Sequence, residues 1–587
     1  MTTAIVDDHF DLEQLKGWLS HCNQHHHGHC YNIDPNNFFQ FPREIILIDL
    51  ASNKLALCNQ KERYSALSYV WGQSNEAFAT LRSNFAELSK DGGLLKYWEK
   101  LPATLVDAIF LSKALDIPYL WVDRLCILQD DMDSKHHNIS WMASIYANSY
   151  LAIIAAEGRD ANHGIHGIGS ASGPREGNVK FQFAGIQCIR RTELEGRKVW
   201  HTRGWTFQER TLARRSLVFH GRTVHWECEK TRMDENISTP RLPSKYSQHF
   251  QYLFDLKMWP DFEQYATLCH QFAHRELTFE KDVTGAFSST TNALTRGFPG
   301  GFLYAMPELF FSLSLLWCHR NQATRRSWLP SWSWIGWDGI PEMSVAAACD
   351  PEVWDLTREQ SRRERYCYPM ARWRKRNQRT QQLVSVDDRY HLWQKYERDR
   401  SMPLPEGWTF IEEDVNSMGG FIHDDITTDG RQPQFYHPVP IAKPGPILPD
   451  LDVWDTLLYG TVRLASLRFD GPKAGKPVTR PGLHTASGES AGELWIHKEL
   501  GEGLVAEDEC LAIAMIHTVR LCPNETSGAF RDGGILEDHC GNPGPQGYVH
   551  ILWIKLEHGI AYRLGTGRVT SSAWKSLNSK EIEIVLG

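Results

Sequence analysis

Residues 64–72 read YSALSYVWG, a run of small and apolar side chains that stops at Trp71-Gly72. A short apolar run closed by glycine predicts a buried strand over Ser65–Val70. Working outward, Ile45–Asp49, Tyr119–Asp123 and Ser149–Ala155 have the same character. Between them, Leu101–Leu115 places apolar residues at i, i+3, i+4 and i+7, the spacing of an amphipathic helix. Strands alternating with helices predict an α/β layer with a largely parallel sheet over residues 46–235. In such a sheet ligands bind beyond the carboxyl ends of the strands, so Trp71 and Gly72 stand where a site is expected.

Two further blocks carry chemistry. Residues 119–131, YLWVDRLCILQDD, place Asp123 inside an otherwise apolar strand, with Gln129, Asp130 and Asp131 at its exit. A carboxylate in that position has to be paired or hydrogen-bonded, because isolating it costs several kcal/mol. Arg124, Arg203 and Arg215 are the candidate partners. Residues 203–221, RGWTFQERTLARRSLVFHG, are followed by VHWEC. Read as a helix, they set Trp205 and Glu209 four apart on one face, where the plain reading is a core anchor beside a surface charge.

These blocks, with LPATLVDAI (101–109) and MASIYANSYLAIIAA (142–156), resemble in content and order the fungal heterokaryon-incompatibility (HET) domain. PSWSWIGW (330–337) and AYRLGTGRVTSSAW (561–574) resemble downstream segments of long members of that family. One departure follows QDD. Members usually carry an Asp-Lys or Asp-Trp pair and a later Gln, whereas this chain has Ser134-Lys135 and Asn138, with Asp133 one place off. HET domains are thought to be similar to Toll/interleukin-1 receptor (TIR) domains, some of which cleave NAD⁺ at the nicotinamide–ribose bond. The resemblance thus implies a TIR-like, flavodoxin-like fold, NAD⁺ as candidate substrate, and Glu209 with Trp205 as candidate catalytic residues. Trp71, Gly72, Asp123, Gln129, Asp130, Asp131, Arg203 and Arg215 are the candidate ligand-binding residues around them. It implies a role in non-self recognition ending in growth arrest or cell death, through an NAD⁺ glycohydrolase or through a non-catalytic adaptor that signals by assembly with itself or a protein partner.

The remaining chain sorts by composition. At 587 residues it predicts several domains. A net charge of -8 gives no basic field for nucleic acid. The acidic start lacks the lysines of a signal peptide, and no apolar run is long enough for a membrane span. Thirteen cysteines without a repeating frame suit reduced thiols in a cytoplasmic protein. Residues 1–45 combine a helix over Asp11–Leu19 with HCNQHHHGHC (21–30). Zinc could be held there by Cys22, His26 and Cys30, although the paired C-x₂-C frame is missing and exposed histidines at a helix end are the plainer reading. Cys126 with His136 or His137 suggests a thiol nucleophile and base, but a cysteine between leucine and isoleucine reads better as an inert hydrophobe. Residues 236–345 read as helical and aromatic. Residues 346–450 read as a charged insertion, including SRRERYCYPMARWRKRNQRTQQ (361–382), and a Pro-rich linker over Gln432–Pro449. In the insertion, Tyr366, Tyr368 and Trp373 among the arginines could hold RNA or an acidic partner, against a solvated-face reading. Residues 451–587 alternate as strands do over Leu457–Phe469, Leu504–Val519, Tyr548–Glu557, Gly559–Val569 and the closing EIEIVLG.

Overall fold

In a computed structural model of the chain, the YSALS segment forms strand β3 (Tyr64–Ser68), buried along its whole length. The structure describes residues 3–5, 8–26, 30, 44–59, 62–72, 78–131, 141–175, 179–183, 186–190, 199–220, 222–235, 259–319, 323–343, 365–393, 395–399, 401–411, 420–426, 432–435, 437–441, 454–469, 481–495, 509–520 and 547–587. The chain divides into two compact units. One comprises Met1–Leu256, Arg275–Ala293 and Pro444–Leu448; the other comprises Lys257–His274, Leu294–Lys443 and Pro449–Gly587. The region predicted as helical is shared between them, because helix Phe262–Ala273 falls in the second unit while Val283–Leu294 lies almost wholly in the first.

The first unit is built on an eight-stranded mixed sheet. In chain order its strands are β1 (Glu44–Asp49), β2 (Lys54–Asn59), β3, β4 (Tyr119–Trp121), β5 (Leu151–Ala155), β6 (Arg215–His220), β7 (Thr223–Cys228) and β8 (Arg232–Asp234). Their spatial order is β8-β7-β6-β5-β3-β4-β1-β2. Only β6, β5, β3 and β4 run parallel to one another; β1, β2, β7 and β8 join antiparallel. This corrects the expectation of a largely parallel sheet. The turns between β1 and β2 and between β6 and β7 are hairpin-sized, and a parallel neighbour needs a crossover of a dozen residues or more. The parallel centre does have such crossovers. Helix α2 (Ala103–Ala114) lies between β3 and β4, and helical residues 141–148 between β4 and β5. Helix α3 (Trp205–Thr211) leads into β6.

From β3 the chain crosses to β4 on one side, then returns to β5 on the other, and from there moves on to β6. The winding direction therefore reverses between β3 and β5. Connections leaving these two strands go opposite ways, which opens a crevice at their carboxyl ends. Val70, Ala152, Ile154, Ala156, Trp200, Ala213 and Val218 pack together beside it. Helix α1 (Leu12–His25), capped by the Asp11 carboxylate on Glu13 N and Gln14 N, runs further than predicted and takes in Cys22 and His25.

In the second unit, β9 (Trp454–Phe469), β10 (Gly482–His484), β11 (Ser490–Trp495), β12 (Glu509–Arg520), β13 (Tyr548–Glu557) and β14 (Ile560–Thr570) pair antiparallel in a ring. The order β9-β10-β11-β14-β13-β12 closes where Arg463–Arg468 of β9 meets Glu509–Ala514 of β12. Alternate residues fill the ring: Ala465, Leu467 and Phe469; Cys510, Ala512 and Ala514; Val549, Ile551 and Trp553. The Arg-rich segment expected as an insertion is strand-forming in its described part. Arg365–Pro369 pairs with β12, and Arg372–Asn377 pairs with β9. Two of its cations are engaged in ion pairs, Lys375 with Glu308 and Arg374 with Glu583. Trp332 and Trp334 of PSWSWIGW are buried as core. Among the described residues, no helix is long and apolar enough to cross a membrane. Trp574, 1% exposed, packs on the ring interior. Trp574→Ala should destabilise the second unit by about 3–5 kcal/mol, read as a lower denaturation midpoint for that unit in chemical unfolding.

Candidate active site at the sheet crevice

Ser68 is the last residue of β3 and pairs in register with Ile154 of β5, so its side chain stands at the mouth of the crevice. Its hydroxyl donates to Glu209 Oε2 and accepts from Trp200 Nε1 at 2.8 Å. Glu209, the fifth residue of α3, reaches this point and is 7% exposed. The helix is held against the sheet by the buried ion pair of Arg210 with Glu227 of β7, and against helix Val283–Leu294 by Gln208 Oε1, which accepts from Ser289 at 2.5 Å. Gly204 precedes it for a steric reason. Residues 276 and 277 run so close that a Cβ at 204 would come within 2.2 Å of Leu277 Cδ2, while Gly204 N donates to Glu276 O at 2.8 Å.

A second carboxylate lies at the neighbouring strand exit. Strand β4 ends at Trp121, and Asp123 opens a helical turn, Asp123–Cys126, so it does not interrupt a strand as expected from the sequence. Its Oδ2 accepts from Trp71 Nε1 at 2.6 Å and its Oδ1 from Arg124 N at 2.7 Å. The Arg124 guanidinium sits 4.5 Å from the Trp71 ring centroid. Arg203 donates to Tyr69 O at 3.2 Å. The Tyr146 hydroxyl donates to Leu67 O at 2.9 Å.

Burial governs the electrostatics. It pushes the Glu209 carboxyl up to about 7, with Asp123 adding to the rise and Ser68, Arg203 and Tyr146 opposing it. Burial also raises Asp123, against the Trp71 and Arg124 hydrogen bonds and the charges of Arg203 and Arg124. Two carboxyl groups that disfavour each other's charge, in an enclosed crevice, are a common way to hold one of them protonated near neutral pH.

Several candidate residues are placed elsewhere. The Trp205 indole donates to Asp282 at 3.4 Å, so the tryptophan joined to Glu209 through Ser68 is Trp200. Gln129 braces the turn by donating to Asp123 O at 2.9 Å and Ile127 O at 3.1 Å. Asp130 accepts from Arg82 N at 2.9 Å, at the start of helix Arg82–Leu88, and Asp131 pairs with the Arg82 side chain at 2.7 Å. Gly72 has φ +79, and a Cβ there would lie 2.4 Å from Asp160 Cβ, which accounts for glycine at that strand exit. Arg215, at the start of β6, donates to Asn23 Oδ1 at 2.9 Å and Cys30 O at 3.3 Å, at the opposite end of the strands from Asp123. Cys126 is buried in the helical turn and burial pushes its thiol up to about 12, unsuited to nucleophilic work. His136 and His137 lie outside the described residues, as do Ser134, Lys135 and Asn138. Ser68, Trp200 and Tyr146 were not singled out from sequence. A polar residue closing an apolar strand was the available sign for Ser68; Trp200 lies in a stretch without periodicity.

The family described as "Heterokaryon incompatibility protein (HET)" matches residues 64–209, from the first residue of β3 to Glu209 itself. The chain carries a HET domain. A curated relative, "Heterokaryon incompatibility protein 6, OR allele" of Neurospora crassa, is 28% identical over 93 residues, which is 16% of this chain and 14% of that protein's length. No solved structure matches. The matched range of the HET domain thus contains the whole Ser68–Glu209–Trp200 group and the Asp123 turn.

A raised carboxyl pKa fixes the sign of a stability change. The folded HET domain keeps a proton on Glu209 that the unfolded chain releases near 4.5. The contribution is complete below that value and is lost as pH rises through about 7, amounting to about 3 kcal/mol in all. Glu209→Gln keeps an acceptor for Ser68 and cannot titrate. Its thermal stability should therefore fall less than that of the wild type as pH is raised across this interval.

Proposed function

We propose that the chain is a heterokaryon-incompatibility effector whose HET domain cleaves NAD⁺, with Glu209 as the reacting-centre carboxylate. The observation that carries this reading is the position of Glu209, at the reversal of winding beyond the carboxyl ends of β3 and β5. Support also comes from the order in which the four parallel strands are visited, second-first-third-fourth, as in flavodoxin-like sheets. Nicotinamide leaves as a neutral molecule from a cationic ring, so no general acid is required. Water adds to the ribose carbon as the C–N bond breaks, giving ADP-ribose, nicotinamide and one proton. The ionised Glu209 stabilises the oxocarbenium-like ribose, and Ser68 orients the carboxylate. Trp71, partly exposed beside Asp123, offers an aromatic edge for the nicotinamide or adenine ring.

The burial of Glu209 favours a second reading, in which the domain signals by assembly alone and the carboxylate is a structural group. In the catalytic reading, assembly with a second copy or a protein partner opens the crevice. The two readings separate in one experiment. Purified full-length protein, concentrated until it assembles, should release nicotinamide from NAD⁺ at a rate that rises with pH through about 7, the value to which Glu209 is raised. Glu209→Gln should reduce that rate at least a hundredfold, or about 3 kcal/mol in the barrier, with its fold retained. Growth arrest on expression should disappear with the same substitution. Arrest that persists in a folded Glu209→Gln protein, with no nicotinamide released by the wild type, would establish the adaptor.

A further inference from the structure

Away from the crevice, near the opposite end of the parallel strands, Cys22, His26, Cys30 and Cys228 bring their ligand atoms within 4.8 Å of one another, and all four are buried. Cys22 lies in the last turn of α1 and His26 is the residue that caps it, four positions on and one helical turn away. Cys30 follows after a further four. The fourth member comes from far along the chain, as the last residue of β7, where it is in register with Arg215 of β6.

The geometry points to a structural zinc ion held by the thiolates of Cys22, Cys30 and Cys228 and by His26 Nδ1. His26 Nδ1 is 3.5 Å from both Cys30 Sγ and Cys228 Sγ. A tetrahedral zinc with ordinary Zn–S and Zn–N bonds separates sulfur from nitrogen by about 3.6 Å. Three thiolates and one imidazole are a standard closed set for a structural zinc, with no position left for substrate. Such a site carries one net negative charge, and the surroundings suit it. Arg215 is fully buried, donates Nε to Cys30 O and stacks 4.7 Å from the Tyr150 ring. Cys228 N donates to Thr231 O at 3.0 Å, which fixes the residue in its turn. His25, one residue before the ligand, is exposed and stacks on His21 at 4.3 Å, which assigns the ligand role to His26 rather than to His25.

The ligands lie outside the family-matched range, before its start and after its end. The ion therefore fastens the segment preceding the matched range to the strand following it, closing a loop of about two hundred residues. This role is independent of the NAD⁺ reading, because the site has no open coordination position and does not share residues with the Glu209 group.

The test uses the full-length chain, purified without a histidine tag, with elemental analysis and cobalt substitution. Wild type and His25→Ala should each hold one zinc per chain, and Cys228→Ser should lose it. Wild-type protein reloaded with Co²⁺ should show tetrahedral d–d bands and a thiolate charge-transfer band of three-sulfur intensity. If Cys228→Ser does not fold, Cys228→His retains a ligand, and should keep the metal with the cobalt band reduced to two-sulfur intensity. Folded wild type without stoichiometric zinc or cobalt–thiolate bands would overturn the assignment. So would a disulfide among the three cysteines, or a Cys228 variant whose cobalt spectrum is unchanged.

Discussion

The hydrogen bond from Ser68 to Glu209 joins the first strand of the parallel core to the helix that precedes its last strand. A carboxyl group taken out of water has to be given donors or a proton, and this one is given both. Ser68 is in turn fixed by Trp200, and Glu209 by the seating of α3 through Arg210 and Glu227. Breaking any of these contacts leaves a buried polar atom without a partner. The crevice is therefore a connected polar group set into an apolar layer, and its members hold one another in position.

The same logic explains the spatial separation of the two polar centres in the first unit. Strands buried on both faces leave little room for polar side chains along their length, so these collect at strand ends. Ser68, Trp71 and Asp123 stand at carboxyl ends. Arg215 and Cys228 stand where β6 begins and β7 finishes, next to the end of α1. One end of the sheet offers an acid poised near neutrality; the other offers sulfur and nitrogen ligands in a closed pocket. The second unit avoids open edges differently, by closing six strands into a ring, so that β12 pairs along one side with β9 and along the other with β13.

Elements with strong local signals were legible in the residues themselves. YSALS, LAIIA and the helix over residues 103–114 form close to where periodicity places them, because an apolar run has to be buried whatever its neighbours are. Asp123 was legible as a residue in need of partners, but not its place beyond the strand end, since a three-residue strand leaves no periodicity to measure. The pairing of Trp200 with Ser68 spans 132 positions and has no local signature. Trp205, which does have the suggestive four-residue spacing from Glu209, bonds to Asp282 instead.

The amino-acid sequence by itself determined the alternation of strands and helices, the HET-domain motifs, the His/Cys cluster of residues 21–30, and the strand character of the C-terminal segment. All of these depend on residues within a few turns of one another. Only the tertiary structure decided that half the sheet is antiparallel, that the C-terminal strands close into a ring, and that Cys228 completes the cluster begun by Cys22, His26 and Cys30. Those outcomes depend on which distant segments come together, and a linear pattern of side chains records what must be buried without recording against what.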